Sequence, residues 1–161
     1  MIGITFLGDR QVELREFVDP TPGPRDVILE IKASGMCGTD LHAYRREFTG
    51  TEHFIAGHEP CGVVVELGKH VTESDAKIGD RVMVHHYDGC GNCRHCQSGW
   101  SQLCDEGPIT YGSGQGHGAH AHYMCVASHT LVPLLDDLSF LTGAAISCGA
   151  GTAYGSLKRI G

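Results

Sequence analysis

Four of the eight cysteines in this chain stand close together, at Cys90, Cys93, Cys96 and Cys104. Gaps of two residues let successive thiolates converge from one tight loop, and the longer gap before Cys104 brings the last sulfur back to the others. This spacing is typical of four cysteines around a tetrahedral Zn²⁺. Because a site closed by four sulfurs has no open position, it predicts a structural role and not a catalytic one.

Two other interpretations of these cysteines, disulfides and a redox Cys-x-x-Cys pair, fit the sequence less well. The chain does not open on a charged stretch followed by an apolar one, as a secretory signal does, and residues 1–6 read as a first strand. We therefore expect a cytoplasmic, reducing location. A redox pair needs two cysteines beside a βαβ unit, whereas four cluster here in a loop rich in glycine and polar residues.

A second set of metal-ligating residue types lies outside that loop, at Cys37, His58, Glu59 and Cys148. Cys37 follows a strand that ends near residue 33, and strand ends that open into glycine turns commonly present reactive side chains. Each residue alone is a weak signal, since a lone cysteine is usually packing and a lone His-Glu pair is usually on the surface. Their occurrence together with the four-cysteine loop favours a second metal site.

The pattern of apolar residues predicts a mainly β (α+β) fold. Runs rich in β-branched residues and bounded by turn residues predict strands at residues 1–6, 26–33, 61–67, 81–86 and 122–126. Residues 87–118 form a long irregular stretch, which a bound metal would hold in place. A helical pattern is predicted only near the end, at residues 138–147 and 152–160, with a break at residues 148–151. This order of elements excludes a doubly wound parallel sheet.

Composition excludes several classes of function. The chain has 161 residues, 41% of them hydrophobic, which is enough for one domain with a core. The formal net charge of −7, with lysine and arginine scattered, argues against nucleic acid as a partner. No apolar run approaches the length that spans a membrane, so no membrane partner is expected.

Several motifs surround the two sets of ligand residues: Cys37-Gly-Thr-Asp-Leu-His42, Gly57-His-Glu-Pro-Cys-Gly62, Gly79-Asp-Arg-Val82 and the four-cysteine loop. In this order they resemble the zinc-dependent medium-chain alcohol dehydrogenases, over almost the whole chain. The resemblance implies a GroES-like catalytic domain, a partly open β-barrel with a structural zinc lobe at residues 87–118 and C-terminal helices. It also implies a zinc-dependent oxidoreductase that interconverts an alcohol and an aldehyde or ketone with NAD or NADP.

The resemblance further implies roles for individual residues around a catalytic zinc. Cys37, His58 and Cys148 resemble the three protein ligands of that metal, and Glu59 resembles the carboxylate that ligates it or sits beside it. Asp40 resembles the acceptor that orients the ring of His58 and raises its basicity. With the four-cysteine loop as the structural site, two zinc ions per chain are expected.

Thr39 and His42 resemble the two residues that move the proton of the substrate. Thr39 matches the hydroxyl that takes the proton, and His42 matches the histidine that passes it to solvent. Cys37, Thr39 and His42 lie on one short turn, so a ligand, a hydroxyl and an imidazole can surround a single oxygen atom.

One part of the family pattern is missing from this sequence. A nicotinamide cofactor needs a strand, a glycine-rich turn and a helix, and the two candidate turns at residues 114–119 and 149–154 lack that context. We therefore expect residues 1–161 to be an incomplete GroES-like domain without the Rossmann domain that seats NAD or NADP. A small-molecule alcohol or carbonyl compound is the expected substrate. The sequence does not determine the oligomeric state, and a homo-oligomer is one of the alternatives. The alternative is a zinc-stabilised noncatalytic module or an inactive truncated fragment.

Other chemistry-bearing residues admit two interpretations. His85 and His86 either line a cleft or only flank the cysteine loop, and Trp100 fits a substrate pocket and a packing position equally well. Cys61 and Cys125 lie in strand patterns, which predicts buried thiols with a packing role.

Overall fold

A computed structural model of the chain describes residues 1–48 and 53–161. In chain order the strands are β1 (Ile2–Gly8), β2 (Gln11–Glu16), β3 (Asp26–Gly35), β4 (Glu59–Leu67), β5 (Arg81–Val84), β6 (Tyr87–Asp88), β7 (Ile109–Thr110), β8 (Tyr123–Ala127) and β9 (Leu131–Pro133). The helices are α1 (Gly38–Arg45), α2 (Arg94–Gln97), α3 (Phe140–Ala145) and α4 (Gly151–Ile160), with a π-helical segment, Ile146–Ala150, between α3 and α4. Short 3₁₀ turns lie at Ser101–Leu103 and Ser128–Thr130.

The strands form three antiparallel sheets. The largest has five strands in the order β8-β3-β4-β5-β9, while β1 pairs with β2 and β6 pairs with β7. All three sheets are open. The prediction of a mainly β fold with C-terminal helices is confirmed, as is the exclusion of a doubly wound sheet over the described residues.

The core lies against the middle of the five-stranded sheet. β3 is central, between β8 and β4, and its Val27 and Leu29 are fully buried. Val64 of β4 and Met124 of β8 pack into the same cluster. A strand covered on both faces needs a continuous apolar run, which explains the Val-Ile-Leu sequence of β3. Each such side chain contributes about 1.5–3 kcal/mol by leaving water, so β3 and β4 form a rigid support.

Two predictions about helices are wrong. Helix α1 lies in the first half of the chain, where no helix was expected. The break predicted at residues 148–151 does not interrupt the C-terminal helix, because Ala145, Ala150 and Gly151 all keep right-handed helical backbone angles. The chain passes through the π-helical segment instead. Among the described residues no helix is both long and apolar enough to cross a lipid bilayer.

Helix α3 packs directly on the sheet below the π-helical segment. Gly143 of α3 lies over Cys61 of β4, so closely that a side chain at residue 143 would clash with the cysteine sulfur. Cys61 is fully buried in a small cluster with Ala33, Leu134 and Ala144. Its thiol is therefore a packing group, as predicted, while Cys125 is half-buried. This close contact fixes where the following segment, which carries Cys148, stands relative to β3 and β4.

The cysteine loop projects from the sheet as a separate lobe. We call residues 87–110, from β6 to β7, the cysteine lobe. Its base is tied to the five-stranded sheet by Tyr111, whose hydroxyl accepts from the backbone N–H of Ala127 at 2.9 Å and faces Asp88 at 3.4 Å. The other oxygen of Asp88 lies 3.0 Å from His129 Nε2. The lobe thus has a defined attachment although α2 is its longest regular element.

Candidate metal centres

The register between β3 and β4 brings the first residues of the second ligand set together. Gly35, at the end of β3, pairs with Glu59 at the start of β4. Cys37 lies two residues beyond this pair and His58 one residue before Glu59. Antiparallel pairing therefore places residues that are 21 positions apart in contact, with Cys37 Sγ 3.1 Å from His58 Nε2.

Helix α1 holds Cys37 in place through its own capping hydrogen bonds. Cys37 is the N-cap residue, and its sulfur accepts from the backbone N–H of Thr39 at 3.3 Å. In return, Asp40 accepts from the backbone N–H of Cys37 at 2.8 Å. This reciprocal pattern is a capping box, with a cysteine in the position that serine or threonine usually occupies. The sulfur is fixed by the start of the helix and not by a flexible loop.

Asp40 acts on two candidate ligands at once. One carboxylate oxygen holds the backbone of Cys37, and the other lies 3.5 Å from Nδ1 of His58. Asp40 is 4% exposed and His58 is 7% exposed, so this carboxylate faces the ring away from bulk water. Nε2 of His58 is left to face the cysteine sulfur. Second partners of this kind fix the orientation and tautomer of a histidine that binds a metal.

Glu59 occupies a space that only glycine leaves open. The carboxylate of Glu59 lies over Gly35, where any Cβ atom would clash with it. Glu59 itself is 5% exposed. A buried carboxylate without compensating partners is costly, so the glycine and the buried acid together indicate a position built to hold a carboxylate.

The π-helical segment supplies the fourth member of the set. The metal-ligating atoms of Cys37, His58, Glu59 and Cys148 all lie within 4.8 Å of one another. Ligands at zinc distances in a tetrahedron stand about 3.3–3.8 Å apart, so this donor set fits a zinc ion. π-Helical turns inside α-helices are frequent at functional sites, and here the turn carries Cys148 toward the β3–β4 end.

The ionisable groups of this set perturb one another strongly. Asp40, through its contact with the ring, raises the pKa of His58 to about 9. Burial, together with the neighbouring Cys37 and Glu59, raises the pKa of Cys148 to about 12. Burial opposes ionisation of Cys37, but hydrogen bonds from Thr39 and the nearby His58 lower the pKa of that thiol. A thiol and an imidazolium each bind a metal only after losing one proton, so a divalent cation competes with protons for the same lone pairs.

The four cysteines of the lobe form a second and separate cluster. The sulfur atoms of Cys90, Cys93, Cys96 and Cys104 lie within 4.8 Å of one another, and none forms a disulfide. Backbone N–H groups point at three of the sulfurs, over distances of 3.3–3.5 Å: Cys90 N to Cys104, Cys93 N to Cys90 and Cys96 N to Cys93. Such donors stabilise negative charge on sulfur. The predicted spacing therefore does bring all four thiols to one point.

Protonation within the lobe cluster is uneven, as expected for thiols that crowd one another. Backbone N–H groups of Cys96 and Asp105 lower the pKa of Cys93 to about 6. Burial and the neighbouring thiols of Cys93 and Cys104 raise the pKa of Cys96 to about 12. Four thiols cannot all ionise at one point without a cation, and an all-sulfur set of this shape suits zinc.

Thr39 and His42 both lie on α1 and both are exposed. Residues three apart on a helix share one face, so a hydroxyl and an imidazole follow one another from the cysteine end of α1 toward solvent. Thr39 also touches the second ligand set, since its backbone N–H donates to Cys37. The positions fit the predicted proton path, which stays a prediction.

A cavity of about 620 Å³ adjoins the second ligand set. Cys148 lies in its wall, together with His86, Trp100 and Gln102. The His86 ring stands 5.1 Å from the His58 ring, centroid to centroid. Burial, aided by the neighbouring His58 and His85, lowers the pKa of His86 to about 4. The structure therefore answers one question the sequence left open: His86 lines a cleft beside the candidate metal site.

Two further residues were not singled out by the sequence analysis. Gln102 contributes to the cavity wall, and Gly35 leaves the space for Glu59. Gly35 carried a signal, because it stands at the end of a strand immediately before a ligand-rich motif. Gln102 has no recognisable signal in the sequence, since its place in the cavity wall depends on how the lobe packs against the C-terminal helix.

The chain is similar to known alcohol dehydrogenases over most of its length. The family model of the alcohol dehydrogenase GroES-like domain matches residues 23–136. An uncharacterised zinc-type alcohol dehydrogenase-like protein of Escherichia coli is 40% identical over 99% of this chain and 47% of its own length. An alcohol dehydrogenase of Moraxella is 33% identical over 92% of this chain and 44% of its own length. The chain spans about half the length of the curated relatives it matches.

Solved structures with the same fold include two that contain bound groups. A cobalt- and zinc-bound thermostable alcohol dehydrogenase from Pyrobaculum aerophilum has a TM-score of 0.82 and is 30% identical, over 99% of this chain and 48% of that one. An acetophenone reductase from Geotrichum candidum, in complex with NAD, also has a TM-score of 0.82 and is 30% identical, over 98% of this chain and 47% of that one.

Proposed function

The chain belongs to the alcohol dehydrogenase GroES-like domain family, and from that premise we propose that it is the catalytic domain of a zinc-dependent oxidoreductase. The reaction is the interconversion of an alcohol and an aldehyde or ketone. The observation that carries the proposal is the contrast between the two ligand sets. One set is all sulfur, whereas the other combines two cysteines, a histidine and a carboxylate beside a cavity.

This contrast supports different roles for two zinc ions. Cys90, Cys93, Cys96 and Cys104 would hold a structural zinc, because four sulfurs fill its coordination sphere. Cys37, His58 and Cys148 would hold a catalytic zinc, with Glu59 either ligating it or standing beside it. A zinc ion bound there supplies Lewis acidity, which lowers the pKa of a coordinated hydroxyl group toward neutrality.

Asp40 and Gly35 position that site without touching a substrate. Asp40 holds both the backbone of Cys37 and the ring of His58, so it keeps two ligands in a fixed relation. Gly35 leaves room for the carboxylate of Glu59. Sites held by such supporting contacts bind metal in one geometry, which reactions at a metal require.

Thr39 and His42 would carry the substrate's proton from the site to solvent. The Thr39 hydroxyl can accept and donate a hydrogen bond, and His42 lies one helical turn further along α1, where it is exposed. Neither residue needs to be a strong base, because a chain of hydrogen bonds passes the proton on.

The activity proposed belongs to a protein in which a nicotinamide cofactor accepts or delivers hydride. The acetophenone reductase of similar fold is a complex with NAD. No described residue of this chain is assigned to that cofactor, since the described part contains only antiparallel sheets. For this chain we therefore propose binding of the metal, binding of the alcohol and transfer of its proton, and not binding of the nicotinamide cofactor.

Cobalt substitution tests the proposed function directly. The chain loaded with Co²⁺ should show visible bands from cobalt-thiolate sites, and addition of 1-pentanol should shift the bands of the site that contains Cys37. The Cys37→Ser chain is the control, because it should retain only bands that do not respond to the alcohol. Cobalt bands that are insensitive to alcohols at both sites would instead favour a metal-stabilised noncatalytic module.

Asp40→Asn should weaken metal binding at the second ligand set alone. The amide keeps the size of the side chain but loses the negative charge that faces His58, and loss of such a partner costs about 10–100-fold in metal affinity. Competition with a chromophoric chelator measures the change.

Asp75→Asn is the matched control for this experiment. Asp75 also accepts a hydrogen bond from the backbone N–H three residues earlier, at 2.9 Å from Thr72, but it lies outside both metal sites. We expect the Asp75→Asn chain to bind metal at both sites with the same affinity as the unaltered chain. Equal metal affinities of the Asp40→Asn and Asp75→Asn chains would contradict the role given to Asp40.

A further inference from the structure

The first two strands form a hairpin that contacts both elements carrying Cys37 and His58. We call residues 1–17 the N-terminal hairpin. Its strands, β1 and β2, pair with each other and are joined by a two-residue turn, Asp9-Arg10. The family model matches residues 23–136, so the hairpin lies outside the matched region. Because neither ligand set includes a residue of the hairpin, it can affect those sites only through its contacts.

The turn of the hairpin completes the C-terminal end of helix α1. The backbone N–H of Asp9 donates to the carbonyl of Arg46 at 2.7 Å, and that of Arg10 donates to the carbonyl of Tyr44 at 2.8 Å. The last carbonyls of a helix have no partner within the helix, so donors from outside stabilise its end. Asp9 and Arg10 both have positive φ angles, 46° and 60°. Residues other than glycine keep such angles where the surrounding contacts fix them, which indicates that the turn is held firmly against α1.

Gly8, the last residue of β1, allows this close approach. Its φ is +92°, and a Cβ atom here would lie 2.6 Å from the carbonyl oxygen of Glu47 and 2.8 Å from that of Arg46. Both are backbone atoms, which cannot move aside as the end of a flexible side chain can. Beside this contact, the rings of Phe6 and Tyr44 meet edge to face, with their centroids 6.3 Å apart. The hairpin therefore fixes the last turn of α1 through backbone and side-chain contacts.

Strand β1 of the same hairpin holds the segment that precedes His58. The backbone N–H of Ala56 donates to the carbonyl of Ile4 at 2.8 Å. The hydroxyl of Thr5 donates to the carbonyl of Phe54 at 3.0 Å. Thr5 is fully buried, so its hydrogen bond is formed away from water. One element thus holds α1 at one end of β1 and the approach to His58 along the middle of β1.

We propose that the N-terminal hairpin positions the second metal site by fixing Cys37 and His58 relative to each other. Gly8, Asp9 and Arg10 are then positioning residues, which act through α1 and touch neither metal nor substrate. The inference rests on the proposed function, because it takes Cys37 and His58 as ligands of a catalytic zinc. A tilt of α1 would move Sγ of Cys37 relative to Nε2 of His58, and these atoms now lie 3.1 Å apart. Metal binding and docking of the hairpin on α1 should therefore stabilise each other.

Hydrogen exchange in the unaltered chain tests this coupling without any substitution in the hairpin. Coupling between two sites is reciprocal, so zinc at the second ligand set should slow exchange of the Asp9 and Arg10 amide hydrogens, followed by NMR. We expect exchange to be at least about fivefold slower, the lower end of typical couplings between sites. The Cys37→Ser chain is the control. Zinc should load only its cysteine lobe, and the two amides should exchange at the same rate with and without the metal.

A matched pair of glycine substitutions tests the same coupling from the hairpin side. Gly8→Ala places a methyl group against the end of α1, whereas Gly79→Ala places one at a similar φ, +95°, where no other described residue lies within 4 Å. Both changes strain the backbone, but only Gly8→Ala should move α1. We expect it to weaken metal binding at the second ligand set about tenfold, the lower end of what loss of a partner behind a ligand costs, and to shift the cobalt bands of the site that contains Cys37. Gly79→Ala should change neither, and both variants should keep the metal affinity of the cysteine lobe.

The outcomes separate this inference from the function on which it rests. If the second ligand set binds neither zinc nor cobalt, the proposed function fails and the positioning role fails with it. If metal binds there but its cobalt bands do not respond to alcohols, the proposed function fails, while slower exchange at Asp9 and Arg10 would still support the positioning role. Equal metal affinities of the Gly8→Ala and Gly79→Ala chains, or exchange at Asp9 and Arg10 that ignores zinc, would overturn the positioning role and leave the function standing. If Gly8→Ala does not fold, the exchange measurement decides alone.

Discussion

Replacing Cys104 with serine should remove one metal from the chain and unfold the cysteine lobe. The lobe contains little regular structure, and its four sulfurs come together within 4.8 Å. In small metal-folded peptides a structural zinc contributes about 10–16 kcal/mol of apparent binding free energy, far more than α2 could supply. We expect metal affinity at this site to fall by more than about 100-fold, beyond what loss of an outer partner costs.

Two measurements check this expectation together. Metal analysis should show one zinc fewer per chain, and hydrogen exchange should show loss of protection across residues 90–104 while β3 and β4 stay protected. Cys125→Ser is the control, because Cys125 is a half-buried cysteine outside both clusters. A lobe that keeps its protection in the Cys104→Ser chain would mean that packing, and not metal, holds it.

Replacing Cys37 with serine should empty the second metal site and leave the fold intact. Serine is a preferred N-cap residue, so α1 should still begin at residue 38 with Asp40 closing the capping box. The change therefore removes a ligand while keeping the local structure that presents it. We expect metal binding at this site to be more than about 100-fold weaker, because losing a ligand costs more than the roughly 10–100-fold that losing an outer partner costs.

Circular dichroism and metal titration distinguish this result from unfolding. The Cys37→Ser chain should have the same melting profile of its β-sheet signal and should keep the metal of the cysteine lobe. Unchanged affinity of the Cys37→Ser chain for a second metal would contradict the assignment of Cys37 as a ligand.

The sequence predicted the members of both ligand sets but not the elements that present them. The four cysteines of the lobe are local, so their spacing alone indicates a metal. Cys37 and His58 come together because β3 pairs with β4, and strands at both positions were predicted. Helix α1 was missed because it has no apolar stripe and because a cysteine replaces the usual serine or threonine in its capping box.

The π-helical segment escaped prediction for a different reason. Cys148-Gly-Ala-Gly151 reads as a helix breaker, since glycine is unfavourable in helix interiors. Packing overrides that preference, because Gly143 lets α3 lie against Cys61 and the chain continues in a helical path above the sheet. Helix propensity describes a segment in isolation, whereas contacts with the rest of the fold determine the backbone conformation of residues 148–151.

The cavity wall could not be predicted from sequence at all. Residues 85–87 follow β5, residues 98–102 lie in the lobe, and residues 147–159 belong to the π-helical segment and α4. Their meeting depends on how the lobe is attached through Tyr111 and Asp88. The residue pattern along the chain does not determine how the lobe is oriented relative to the sheet. For this reason the sequence alone left two interpretations of His86 open.

We propose that this chain holds two zinc ions in two chemically different sites. Native mass spectrometry of protein purified with zinc measures their number directly. We expect two zinc ions per chain, falling to one in the Cys37→Ser chain and to one in the Cys104→Ser chain. A chain that carries a single zinc, or none, under conditions where it is folded would contradict it.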